Sequence, residues 1–141
     1  TQAATFMRDT GKDVQKVRRS ITDDGGLSWS PYETTQLDNL SSAIFTFIGQ
    51  KGRTWMVFND APKGQDHGRN TLALAVSDDK GVSWNTVHHF ERIEEPEEKE
   101  SKFAYPWVAR GFDDQFHLFY TWNRKIIKHV AFNQAWLESK S

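Results

Sequence analysis

Apolar and polar residues alternate with a period of two along most of the chain, and nowhere do apolar positions recur at a convincing helical spacing. Short runs rich in β-branched and aromatic residues, each bounded by Gly, Asp, Asn or Pro, predict strands at 4–7, 14–21, 43–48, 54–58, 71–76, 85–90, 105–109, 116–121 and 126–132. Weaker strand character flanks Tyr32. The final stretch, 134–141, shows no cap and few apolar positions, so no more than a helical turn is expected there. The pattern is that of an all-β chain.

One internal repeat stands out. Thr22-Asp23-Asp24-Gly25-Gly26-Leu27-Ser28-Trp29 and Ser77-Asp78-Asp79-Lys80-Gly81-Val82-Ser83-Trp84 share the pattern S/T-x-D-x-G-x-S-W, and both follow a predicted strand. Each position suits a hairpin turn: the carboxylates of Asp24 and Asp79 can accept turn N–H groups, Gly26 and Gly81 supply positive φ, and Trp29 and Trp84 can pack the turn onto the sheet. Thr22 and Ser77 open the two copies. The Glu-rich stretch from Glu91 to Lys102 contains Pro96 and reads as a solvated loop between repeat units.

Composition narrows the chemistry. The 141 residues allow one domain, and 18 Lys and Arg against 19 Asp and Glu leave a net charge of −1, which offers no general field for nucleic acid or an anionic membrane. No apolar run is long enough to predict a membrane span. The chain has no Cys, so it can form neither disulfides nor thiolate metal sites, and it has no thiol nucleophile. Six Trp and ten Phe argue for a packed fold. His88 and His89 are adjacent in a predicted strand and should point to opposite faces, while His67 with Asp66 makes at best two ligands, so neither a metal nor a cofactor is expected. Lys16, Arg18 and Arg19 around Val17 read as one charged sheet face. The sequence gives no basis for assigning a cellular compartment.

The repeated turn resembles the Asp box of the BNR-repeat sialidase-like family. The likeness extends to Phe6-Met7-Arg8, Phe58-Asn59-Asp60, Phe103-Ala104-Tyr105-Pro106, and Tyr120-Thr121-Trp122-Asn123-Arg124 followed by Ile127-Lys128-His129-Val130. It covers nearly the whole chain and matches the C-terminal half of that family's six-bladed β-propeller. About three antiparallel blades are then expected: a partial blade over 1–38, a full blade over 39–91, the acidic loop 92–101, and a partial blade over 102–138. An open arc exposes strand edges. A homodimer closing a six-bladed ring is therefore expected, against the alternatives of a longer polypeptide or a flatter closure.

Sialidase-like sites hold an acidic sugar through arginines and use a tyrosine nucleophile. The resemblance places Arg8 and Arg124 as arginines facing an anionic sugar and Tyr105 as the catalytic or sugar-contacting tyrosine. It places Asn59, Asp60 and Trp122 around the sugar. Each also has a plainer reading: Asn59 and Asp60 as turn-shaping residues, Tyr105 as a packing residue before Pro106, and Trp122 as inter-blade packing. The family's N-terminal arginine and general-acid Asp have no counterpart here. The reading is a carbohydrate-recognising propeller that binds or hydrolyses an anionic, sialic-acid-like sugar, with hydrolysis not favoured for this chain alone. The alternative is a non-catalytic module that binds another protein.

Overall fold

The computed structural model describes residues 1–60, 69–93 and 102–141. Among them, ten strands form three antiparallel meanders. The first sheet contains β1 (Ala3–Met7), β2 (Lys16–Thr22) and β3 (Glu33–Asp38); the second contains β4 (Phe45–Ile48), β5 (Thr54–Phe58), β6 (Thr71–Ser77) and β7 (Asn85–Arg92). The third contains β8 (Phe103–Arg110), β9 (Gln115–Trp122) and β10 (Ile126–Asn133). Positions 61–68 and 94–101 lie outside the described residues, and with them His67, Asp66 and most of the acidic loop.

The middle sheet is sandwiched. Trp55, Val57, Leu72, Leu74 and Val76 share a core with Phe103, Val108, Phe116, Leu118 and Tyr120 of the third sheet. Met56, Phe58, Ala73, Ala75 and Trp84 pack the opposite way, against Val17 and Leu37 of the first. Both faces of β5 and β6 are thus covered, and their sequences, TWMVF and LALAV, are runs of apolar residues where the outer sheets alternate. Three sheets stacked face to face are three blades of a β-propeller.

The repeated turns set the blades in register. The first joins β2 to β3 and the second joins β6 to β7, so β1, β2 and β3 correspond to β5, β6 and β7. Each turn is held by one carboxylate. Asp79 accepts from Ser77 Oγ (2.8 Å), Val82 N (3.0 Å), Ser83 N (2.8 Å) and Ser83 Oγ (2.5 Å). Asp24 accepts from Thr22 Oγ1 (2.7 Å), Ser28 N (3.0 Å) and Ser28 Oγ (2.6 Å). Gly26 and Gly81, at φ 97° and 84°, take the conformation that L side chains resist.

Several elements depart from the sequence expectation. Trp84 is buried, edge-on to Phe6 of the neighbouring blade with ring centroids 5.4 Å apart, whereas Trp29 is 46% exposed. A neighbouring blade buries the first; no described sheet lies beyond the second. Lys16, Arg18 and Arg19 do not share one face, because Arg19 lies on the Val17 side and donates Nε to Lys80 O (3.1 Å), while Arg18 points away and pairs with Asp9 (3.1 Å). The end of the chain forms a short helix, α1 (Gln134–Glu138), and it does have a cap: Asn133 Oδ1 accepts from Trp136 N at 2.9 Å. Leu137 fixes α1 in the core.

Hydrogen bonds from Ser83 and Ser77 hold the Asp79 carboxyl down at about 2, from an ordinary 3.8, and the Ser28 bonds depress Asp24 in the same direction. Since the folded-state pKa lies below the unfolded one, the unfolded chain takes up protons first as pH falls; the stabilisation is present above about pH 4 and lost toward pH 2. The urea midpoint should fall across that window. The Asp24→Asn, Asp79→Asn double variant should start lower at pH 6 and show a smaller fall, and an equal fall in both proteins would show that the boxes do not carry the effect.

Candidate functional site

In these meanders the connections alternate between two ends of the blades. The Asp boxes, the β4–β5 connection and the β8–β9 connection lie at one end, where Arg53 pairs with Asp78 (2.7 Å) and Glu138 (3.0 Å). At the other end lie the β1–β2, β5–β6 and β9–β10 connections and the starts of β4 and β8. Arg8, Asn59, Asp60, Tyr105 and Arg124 all fall at this second end. Long-range bonds hold it together: Phe103 N donates to Arg69 O (3.0 Å) and Asn123 N to Lys102 O (2.5 Å).

Asn59 is buried at the seam between the second and third blades. Its Nδ2 donates to Thr71 O (2.6 Å) and Phe103 O (3.1 Å), so one amide ties β6 to β8, while its buried Oδ1 has no hydrogen-bond partner among the described residues. Asp60 turns the other way, with Oδ2 3.0 Å from His89 Nε2 and its backbone carbonyl accepting from Thr71 Oγ1 (2.8 Å). His88 points to the opposite face of β7, packed edge-on to Phe90 and Trp136, and burial lowers its pKa.

Tyr105 sits at a bulge in β8, where the register with β9 shifts between Ala104 and Trp107. Its φ is 54° although it is not glycine and precedes Pro106, a conformation that costs about 1–3 kcal/mol and is held only where the surroundings over-determine it. The bulge turns the ring outward, leaving it 60% exposed, with the Arg69 guanidinium carbon 5.8 Å from the ring centroid. Arg124 is exposed at the tip of a tight hairpin in which Asn123 and Arg124 both have positive φ and Lys125 N returns to Trp122 O (3.1 Å). Arg8 is exposed just beyond β1. Trp122 is half-buried against the inter-blade core.

Three groupings lie beyond the sequence reading. Arg69 is brought over Tyr105 by pairing of distant segments. Between the second and third blades, buried Tyr120 donates to Glu91 Oε1 (2.5 Å), the same oxygen that Lys128 Nζ contacts. Burial, reinforced by the adjacent carboxylate, pushes the Tyr120 phenol well above its ordinary value, so it stays protonated and acts as a donor. The lone sequence signal was Tyr120 at the head of the YTWNR run, and its partner lies 29 residues away. In the first blade, the Gly11 N–H, followed by Arg18, holds Asp9 below the ordinary carboxylate range, and the Arg18 guanidinium lies 4.3 Å from the Tyr32 ring centroid.

Removing the Glu91 carboxylate leaves a buried phenol without its acceptor, so Glu91→Ala should lower unfolding free energy by about 2 kcal/mol in chemical denaturation. Glu91→Gln, which still accepts, should lose less. At Tyr105 the expectation runs opposite: Tyr105→Gly relieves the left-handed strain at an exposed side chain, so stability should hold or rise by up to about 1 kcal/mol. A loss above that size would mean that Tyr105 serves packing.

Three solved structures share this architecture. The chain superimposes on the α-L-arabinanase of Penicillium chrysogenum complexed with arabinobiose, with TM-score 0.64, 14% identity, 94% of this chain and 43% of that one. On the α-L-arabinofuranosidase of Fusarium graminearum in complex with an iminosugar inhibitor it gives TM-score 0.64, 15% identity and coverages of 94% and 42%. On the intramolecular trans-sialidase of Ruminococcus gnavus in complex with oseltamivir carboxylate it gives TM-score 0.63, 13% identity and coverages of 100% and 34%. The chain therefore spans less than half the length of each. No curated protein matches it in sequence. The family model described as BNR repeat-like domain matches residues 1–126, and the chain belongs to that family.

Proposed function

We propose that this chain forms part of a carbohydrate-recognition site on a propeller, taking an anionic, sialic-acid-like sugar at the end of the blades opposite the Asp boxes. The observation that carries the reading is the distribution of side chains between the two ends. The Asp-box end is occupied by turns that satisfy their own polar groups. The other end carries exposed Arg8 and Arg124 and a strained, outward-turned Tyr105 beneath Arg69. A planar guanidinium pairs bidentately with a sugar carboxylate, and an exposed tyrosine ring offers a face to a pyranose. That arabinanase, arabinofuranosidase and trans-sialidase share the fold supports a carbohydrate-active propeller. In this reading Asn59 acts from beneath, fixing the start of β8 and hence Tyr105.

A second reading, assembly, is favoured by the outer face of the third blade. Ile127 is 67% exposed there, beside the stacked rings of Phe119 and His129, while Trp107, 62% exposed at the β8 edge, keeps its ring 4.8 Å from that of Phe45 on β4. An apolar sheet face of this kind is normally covered, and a homodimer is the proposed cover. Light scattering on a sizing column should give the mass of two chains, with Ile127→Glu restoring one; a monomer at every concentration would remove this reading.

The sugar reading is tested by calorimetric titration with sialyllactose and arabinobiose. Sialyllactose should bind, and Arg124→Ala and Tyr105→Ala should each weaken it about tenfold, or ~1.4 kcal/mol. Binding of arabinobiose alone would move the substrate class to neutral sugars. Binding of neither would leave assembly as the function.

A further inference from the structure

The end of the blades that carries the Asp boxes also carries the two most exposed large apolar side chains among the described residues. Phe112 is fully exposed in the β8–β9 connection, and Leu27 is 89% exposed in the first Asp box. Val82 takes the place of Leu27 in the second Asp box and is 60% exposed. Each of the three blades thus puts an apolar side chain at the tip of a hairpin, and the topology brings all three tips to one end. A single exposed apolar residue is ordinary, whereas one on every blade at the same end calls for a surface that receives them.

The turns beneath these side chains are suited to leaving water. A backbone N–H removed from water costs free energy unless it is already bonded. In the first box Gly25 N donates to Thr1 O (3.1 Å), Gly26 N to Thr22 Oγ1 (3.0 Å) and Ser28 N to Asp24 Oδ1 (3.0 Å). In the second, Gly81 N donates to Ser77 Oγ (2.7 Å), while Val82 N and Ser83 N donate to Asp79 Oδ1 (3.0 and 2.8 Å). At the third tip Gly111 N donates to Gln115 O (2.7 Å) and Gln115 N to Asp113 Oδ1 (3.2 Å). Burying these tips therefore breaks few hydrogen bonds to water.

Charge and shape select the surface. Arg53 pairs with Asp78 (2.7 Å) and Arg110 with Asp114 (2.6 Å), while Asp23 and Asp113 accept from the Gln2 and Gln115 side-chain amides (3.0 and 2.9 Å). With its arginines neutralised and carboxylates beside them, this end has no attraction for anionic headgroups. Three separate protrusions do not form the continuous area of a protein interface. A bilayer interface yields around each of them.

We propose that the Asp-box end is a membrane-docking surface, which places Leu27, Val82 and Phe112 in the interface of an electrically neutral, zwitterionic phospholipid bilayer. The contact is neither a membrane span nor an attraction to anionic lipid: it buries apolar side chains at the boundary between headgroups and acyl chains. Docking this way leaves the opposite end, with Tyr105 and Arg124, facing solution. It holds whether or not that end binds a sugar.

The test is flotation of the chain with phosphatidylcholine vesicles. The chain should float with them, and added salt should not release it, because no ion pairs with the headgroups are involved. Leu27→Asp and Phe112→Asp should each lower the partition coefficient about tenfold, and the double variant should no longer float. Both positions are exposed, so the urea midpoint should hold, which separates lost docking from a lost fold. Ile126→Asp, an exposed apolar position near the opposite end, should float like the original chain. Absence of flotation in the original chain would overturn the proposal and leave the tips to a protein partner. Flotation that survives the double variant, or that Ile126→Asp abolishes, would show that another apolar surface meets the lipid. Tighter binding to vesicles rich in phosphatidylserine would equally sink the idea, because charge would then be the cause.

Discussion

Everything in this structure depends on covering both faces of the middle sheet. A four-stranded antiparallel sheet whose central strands are apolar on both sides has no solvated face to offer, so it must be clamped between two others. β5, buried at all five positions, and β6, buried at six of seven, are the product of that constraint. The outer sheets need only one apolar face, which is why their strands alternate. Stacking of sheets then brings connections from separate blades to common ends.

The two ends are built by different physics. At the Asp-box end each turn satisfies itself within eight residues: a carboxylate takes the turn N–H groups, and glycine supplies the dihedral that the turn needs. At the other end the bonds are long-range. Asn59 reaches 44 residues to Phe103, and Asp60 reaches 29 residues to His89. One buried amide spanning two blades explains how Tyr105, two residues beyond Phe103, can be held at positive φ before a proline. The strain there is sustained by the blade seam, and a seam holds a side chain more firmly than a free loop does.

This division also decides what could be read from the sequence. The Asp boxes, the all-β pattern and the approximate strand positions were legible because they rest on local spacing. The likeness to sialidase-like chains pointed to Arg8, Asn59, Asp60, Tyr105, Trp122 and Arg124, and topology brings five of these to one end while Trp122 joins the core between blades. Asn133 as a helix cap is legible in the sequence, three residues before Trp136, although the few apolar positions that follow it predict no more than a turn. Arg18 and Arg19 are adjacent in β2, so period two itself sends them to opposite faces and rules out the single charged face expected for them. Arg69 over Tyr105 and Tyr120 against Glu91 were beyond reach, since each depends on the register of strands from different blades.

The same contrast bears on which residues can change without loss of the fold. An Asp box removed from one blade costs a local turn, and the adjacent strands still have their sheet neighbours. Asn59 has no such redundancy, because its two donors satisfy carbonyls on two different blades and its own buried oxygen has no partner among the described residues. Loss of the amide would leave both carbonyls short of a donor at a buried seam. The residue that looks least like a sugar ligand by exposure is therefore the one through which the sugar-facing end is joined to the core.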